Sequence, residues 1–313
     1  VLRAEALLRR AEAWVFAPED ARRLAAVRIG LCGLLALRLA LTDYDTVAHE
    51  PGLFQPHFYM RLFEGMPSPA VAASLQLCGV VAALTAAAGI ALQVSLAVAV
   101  GCSLVLNGML NSAGRVIVGD AVLTLCLLVL LAAGSATGDA WSLRDRVRRA
   151  RRAPELAVAP QTQGERYGWP IRTAMIVIAL AYFFAGLQKW RHSGFGWVTG
   201  DNLRWILYAS SDSHAHPNEL ALFVADRPAL VHLLAAGSIL LETLFPLVLF
   251  VPKLRWLFVP GVVSMHLGIR LAMGLDYSGL ALTVVIMFVD WPVVVGWVRR
   301  SATNLPAPRT APG

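Results

Sequence analysis

Seven side chains in this sequence carry a reactive, charged or hydrogen-bonding group in strongly apolar surroundings: Arg38, Asp120, Lys189, Trp197, Glu242, His266 and Arg270. Lys189 closes the apolar run YFFAGLQK, which begins at Tyr182, and the glycine- and tryptophan-rich stretch WRHSGFGWVTGDNLRW follows it as far as Trp205. A lysine costs about 2.5 to 3.5 kcal/mol at the centre of a bilayer, so a run that ends on one either lets it snorkel to the headgroups or uses it. As an anchor it needs only its positive charge. As a base it must offer a neutral amine, and apolar burial favours that form by penalising the ammonium.

His266 and Arg270 are four residues apart and so share a helical face. A histidine there is either a hydrogen-bonded packing residue or an acid–base group, and the lysine and glutamate in the same half-membrane keep both readings open. Arg38 and Asp120 divide in the same way. They are either an ion pair that holds helices in register or part of a polar pocket, because intramembrane charges pair and face the bundle interior. The run Asp212-Ser213-His214-Ala215-His216 contains an H-x-H pair that could chelate, but with no third ligand at fixed spacing it reads as a solvated loop. No metal is expected.

These groups need elements to position them. With 57% hydrophobic and 15% charged residues and a mean hydropathy of +0.61, the chain of 313 residues is too apolar for a soluble domain and reads as a polytopic membrane protein. The net charge of +7 sits at segment ends rather than along one face, which marks topology and excludes nucleic acid. Cys32, Cys78, Cys102 and Cys126 fall in separate apolar runs with no C-x-x-C pair, which argues against paired-thiol redox chemistry. The first apolar run follows some twenty arginine-rich residues without a persuasive cleavage site.

The expected fold is all-α, a polytopic membrane helix bundle. Residues 1–20 read as an interfacial amphipathic helix, 21–300 as the transmembrane domain and 301–313 as a disordered tail. Apolar runs at roughly 24–42, 70–89, 91–108, 116–134, 171–189, 229–251, 254–273 and 276–297 give about eight transmembrane helices. With the N-terminus inside, the inner connections hold 17 basic residues and the outer ones 5, so both termini are expected in the cytoplasm. In that orientation Arg38, Asp120, Lys189, His266 and Arg270 fall in the outer half of the membrane, Glu242 lies near the middle, and the pocket opens outward. The basic loop WSLRDRVRRARRAPELAVAPQTQGERYGWP reads as a lipid-facing anchor followed by a linker.

The segment YFFAGLQKWRHSGFGWVTGDNL resembles the vitamin K-dependent gamma-carboxylases and the bacterial horizontally transferred transmembrane (HTTM) domain proteins, which carry A-G-x-x-K followed by W-x-x-G. Here those positions are Ala185 to Lys189 and Trp197 to Gly200. Weaker likenesses lie in WSLRD at 141–145, in SMHLGIRLAMG around His266, and in LNGMLNSAGRVIVGDAVL, where Asn107, Asn111, Gly119 and Asp120 match HTTM positions. The resemblance implies that Lys189 is the base that deprotonates a reduced vitamin K or menaquinol-like quinol, whose oxygenation then yields a strong base or an epoxide. It implies His266 as a second catalytic group. Arg38, Asp120, Trp197, Glu242 and Arg270 would line the quinone pocket, a role assigned from depth.

The sequence departs from the carboxylases at Gly114, where their histidine would fall, and it has no counterpart of their large extramembrane C-terminal region. The alternative class is therefore a non-catalytic membrane subunit for maturation or immunity of a secreted peptide. Expected partners are membrane lipid, a quinone, and a secreted peptide or neighbouring membrane subunit, in a bacterial cytoplasmic membrane. The absence of a visible internal repeat places a transporter third.

Overall fold

The computed structural model describes residues 2–114, 118–143, 145, 147, 163–212, 218–289 and 291. Among the described residues the regular structure is helical apart from a two-residue antiparallel pairing of Glu19–Asp20 with Gln163–Gly164. The principal helices are α1 (Leu2–Val15), α2 (Ala21–Leu41), α3 (Pro69–Ala88), α4 (Leu92–Ser112), α5 (Val118–Ala132), α6 (Glu165–Ser193), α7 (Asn202–Asp212), α8 (Glu219–Ala225), α9 (Pro228–Leu244), α10 (Arg255–Met273) and α11 (Ser278–Phe288).

Among the described residues, five helical segments are long and apolar enough to cross a membrane: α2, α3, α4, α6 and Pro252–Met273, which includes α10. A sixth arises if α8 and α9, which meet at 98°, count as one span, and Asp120–Ala132 and α11 are shorter apolar helices. Of the run at 276–297, helix is described for Ser278–Phe288, and positions 290 and 292–300 lie outside the described residues, as does the 301–313 tail. The run at 229–251 breaks at Leu244 because Pro246 has no N–H to give the carbonyl of Glu242. A short helical turn, Leu247–Phe250, follows the break.

Local chemistry sets the other helix ends. Asp20 caps α2 by accepting from the Arg22 N–H at 2.7 Å, and Ser68 caps α3 ahead of Pro69 at its first position. Helices α3 and α4 fold back on three residues, 89–91. Gly89 makes this turn possible at φ +72, and a Cβ there would also stand 2.5 Å from that of Ser142.

Helices α2 and α3 run antiparallel, since Gln76 Nε2 donates to Leu39 O near one end and Arg28 donates to Ala87 O near the other. At that second end Arg28 is fully buried, and its guanidinium also reaches the carbonyls of Thr137, Ala140 and Trp141. Carbonyl dipoles hold this cation, which ties the turn after α5 to α2 and α3. The WSLRD segment closes on itself there: Ser142 Oγ accepts from the Asp145 N–H at 3.0 Å, and Asp145 Oδ2 accepts from the Trp141 N–H.

The N-terminal helix stops at Val15, short of the expected residue 20. Its last turn is docked on the bundle: Trp14 packs against Phe250, and Arg172 of α6 hydrogen-bonds the carbonyl of Ala17. Residues 190–228, read from sequence as a loop, contain helices α7 and α8. They close on a small core of Leu207, Ala221, Val224 and Ala225 with Val231 and Ala272.

Candidate functional site

The A-G-x-x-K spacing has a steric cause. Gly186 brings α6 so close to α9 that a Cβ there would lie 2.5 Å from Thr243 Oγ1 and 2.8 Å from its backbone nitrogen. Lys189, nearly one turn further on, then stands beside Glu242, with Nζ 2.5 Å from Oε2. Trp190 reinforces the contact by donating from Nε1 to Thr243 Oγ1 at 3.1 Å. The short turn Gly196–Thr199 folds Trp197 back over the pair, its ring centroid 5.3 Å from Lys189 Nζ. Glu242 is buried and Lys189 half-buried, so each charge depends on the other.

Tyr182 lies seven residues before Lys189, two turns along the same side of α6. Its hydroxyl is 2.7 Å from His266 Nε2 of α10, and its ring stacks on Phe245 just past the end of α9. Tyr277 stacks on the other side of His266, with centroids 5.3 Å apart. His266 is close enough to Lys189 to interact electrostatically.

Two nitrogens complete the arrangement. His266 Nδ1 and Trp197 Nε1 are buried and have no hydrogen-bond partner among the described residues. Buried polar groups are nearly always satisfied, and leaving one unpaired costs about 1 to 3 kcal/mol. Where the Tyr182 hydroxyl donates to Nε2, Nδ1 carries the proton and is a free donor; where it accepts from Nε2–H, Nδ1 is a free acceptor. The site thus offers the Trp197 N–H, an open histidine nitrogen, a lysine and a carboxylate.

Arg38, Asp120 and Arg270 do not join this group. Arg38 grips Asp120 through two bonds of 2.8 and 3.0 Å and reaches Asp276 at 2.6 Å, while Arg270 bonds the other Asp276 oxygen at 3.0 Å. Two arginines and two aspartates balance. This is the register-holding pair that the sequence allowed, extended by a loop residue. Gly279 leaves room for it, since a Cβ there would meet Asp120 Oδ1 at 2.6 Å. Asp276 lies in the loop between α10 and α11. Partial burial alone would raise its carboxyl, but hydrogen bonds from Ser278 and Arg38, with the Arg38 charge, hold it well below the usual carboxylate range. Tyr277 joins the two groups, because Asp276 fixes the loop that lays the Tyr277 ring on His266.

Of the seven residues singled out from sequence, Lys189, Trp197 and Glu242 meet, His266 adjoins them, and Arg38, Asp120 and Arg270 form the neighbouring network. Sequence reasoning missed Tyr182, Thr243, Asp276 and Tyr277. Only Asp276 left a signal, as a lone carboxylate between two apolar runs.

Asn107 bonds Ser103 through Nδ2, and its buried Oδ1 has no partner among the described residues. His214 and His216 lie outside the described residues. Among those described, no group of three or more His, Cys, Asp or Glu could hold a metal. No family model, curated protein or solved structure matches the chain.

Proposed function

We propose that the chain is an HTTM-type protein of eight spans with both termini cytoplasmic, set in a bacterial cytoplasmic membrane. It binds a quinol in the outer half of the bilayer and uses Lys189 as the base. The observation that carries this reading is the Lys189–Glu242 pair beside two buried ring nitrogens, Trp197 Nε1 and His266 Nδ1, that have no partner among the described residues. Glu242 takes the ammonium proton, leaving a neutral amine at Lys189. Lys189 then accepts the proton of a quinol hydroxyl, and the N–H groups of Trp197 and His266 hold the oxygen that loses it. A reduced vitamin K or menaquinol-like quinol supplies the electrons, with dioxygen as the oxidant.

The residues fit an aromatic diol. Of the aromatic side chains around the pair, half-buried Trp197 is the one open to a ring, whereas Tyr182 and Phe245 are buried against each other and support the site from behind. The test is oxygen-dependent conversion of reduced vitamin K to its epoxide by the purified protein in detergent. Wild type should turn over, whereas Lys189→Arg should not, because a guanidinium stays protonated and cannot accept the proton. An absence of wild-type turnover with several hydroquinones removes the enzymatic reading.

A second reading has a specific observation behind it. Gly114 stands where the resembled carboxylases carry a histidine, and a mutually neutralised Lys189–Glu242 pair also serves as a purely structural tie. On that reading the protein is a non-catalytic subunit for maturation or immunity of a secreted peptide. Co-purification of such a peptide with a wild-type protein that shows no turnover, retained in Lys189→Arg, would favour it.

A further inference from the structure

The connection between α2 and α3 is stapled to the side of a span rather than standing clear of it. The backbone N–H of Gln55 donates to Ser112 O at the last residue of α4, at 2.7 Å. Met60 is buried against Gly108, and the Tyr59 hydroxyl donates to Leu104 O at 2.8 Å. The staples therefore descend along α4 from Ser112 back to Leu104, about 12 Å of helix. The side chains not used as staples point the other way. Phe58 is 88% exposed and Leu62 87% exposed. Phe58 also has φ +47, a left-handed conformation that a bulky residue rarely adopts and that turns its ring outward.

Phe58 and Arg61 are three apart on the 3-10 helix Phe58–Leu62, where such positions eclipse. Together with Gln55, Pro56 and His57 they line a cavity of about 450 Å³. Arg61 has no ion pair or hydrogen bond among the described residues. His57 binds the Gln55 carbonyl through Nδ1 at 2.5 Å, which leaves Nε2 open. Leu37 and Leu41 of α2 and Val71 of α3 are likewise exposed.

We propose that residues 55–62 form a phospholipid-binding site in the leaflet at the Arg38 end of the bundle. Phe58 and Leu62 lie among the acyl chains, and Arg61 and His57 take the phosphate in the cavity. A lipid is the occupant because the site is stapled along a helix long and apolar enough to cross a membrane, exposes Phe58 and Leu62, and lines one cavity with the Phe58 ring and a cation that has no partner among the described residues. Aromatic side chains are enriched at membrane interfaces. The inference rests on the membrane reading of α4 and is independent of any quinol chemistry.

The test places spin labels at Phe58→Cys, Leu62→Cys and, as a control in the same connection, Gly52→Cys. The native cysteines are replaced, and the protein is held in phosphatidylglycerol nanodiscs. Labels at 58 and 62 should be accessible to oxygen and shielded from a water-soluble nickel chelate, with the reverse at 52. Chelate access at all three positions would overturn insertion, and shielding that develops only when a second protein is added would assign the surface to a protein partner instead. A label at Leu77, in mid-α3, reports whether the span itself is in the bilayer, so failure of the membrane reading is distinguishable. Phosphatidylglycerol retained by the detergent-purified protein with its native cysteines, counted by native mass spectrometry, should fall at least threefold in Arg61→Gln. Unchanged retention would overturn the phosphate assignment.

Discussion

Lys189 was legible because an apolar run closes on it, and its partner Glu242 was legible only as a charge at a similar depth. What joins them is Gly186, which no charge pattern reveals. Glu242→Gln removes one member of a largely buried pair and leaves an ammonium without its counter-ion. The expected cost is about 3 kcal/mol, read as a lowered thermal midpoint in detergent. The double variant Lys189→Met with Glu242→Leu, which removes both charges, should recover most of that loss. Tyr182 was not legible at all, since a tyrosine in an apolar run is ordinary core and its partner His266 lies 84 residues away. Tyr182→Phe leaves a second buried histidine nitrogen unpaired and should cost about 1 to 3 kcal/mol in the same measurement.

At the scale of elements, apolar runs located the long helices α2, α3, α4, α6 and α10, because hydropathy over some twenty residues is a strong signal. Hydropathy does not see a break that an imino acid imposes, so the end of α9 before Pro246 was missed. It also passed over α7 and α8, whose apolar faces around Leu207 and Ala221 are short and interleaved with Arg204 and Asp226. The α10–α11 loop is held by Asp276 between Arg38 and Arg270. Its carboxyl titrates lower in the folded protein than in the unfolded chain, so its contribution is fully present above the ordinary carboxylate value and is lost as pH falls through the lowered one. The difference in thermal midpoint between wild type and Asp276→Asn should therefore stay constant from pH 7 to about pH 4 and shrink only below that. A difference that already shrinks between pH 6 and 5 would show that the Arg38–Asp276–Arg270 link is not formed.

Across the whole molecule, the proposed topology puts 17 basic residues in the inner connections and 5 in the outer ones, and on that proposal the Lys189 and Asp276 groups lie toward the outer face. The proposed outward-opening pocket is checked by labelling. In a chain without its native cysteines, Asp201→Cys should react with an impermeant maleimide in intact cells and Arg166→Cys only after lysis. The opposite pattern would put the site on the cytoplasmic side. The spatial division into the Lys189–Glu242 group and a charge-balanced clamp around Asp276 was not legible, because it depends on which helices touch.

The proposal that Lys189 is a base is tested most directly by chemical rescue. Lys189→Ala, purified in detergent and supplied with reduced vitamin K and oxygen, should form no epoxide on its own. Added small primary amines should restore turnover, with rates that rise with amine basicity among amines of similar size, because the free amine takes the place of the missing side chain. Wild-type-level turnover by Lys189→Ala without any added amine would contradict the assignment.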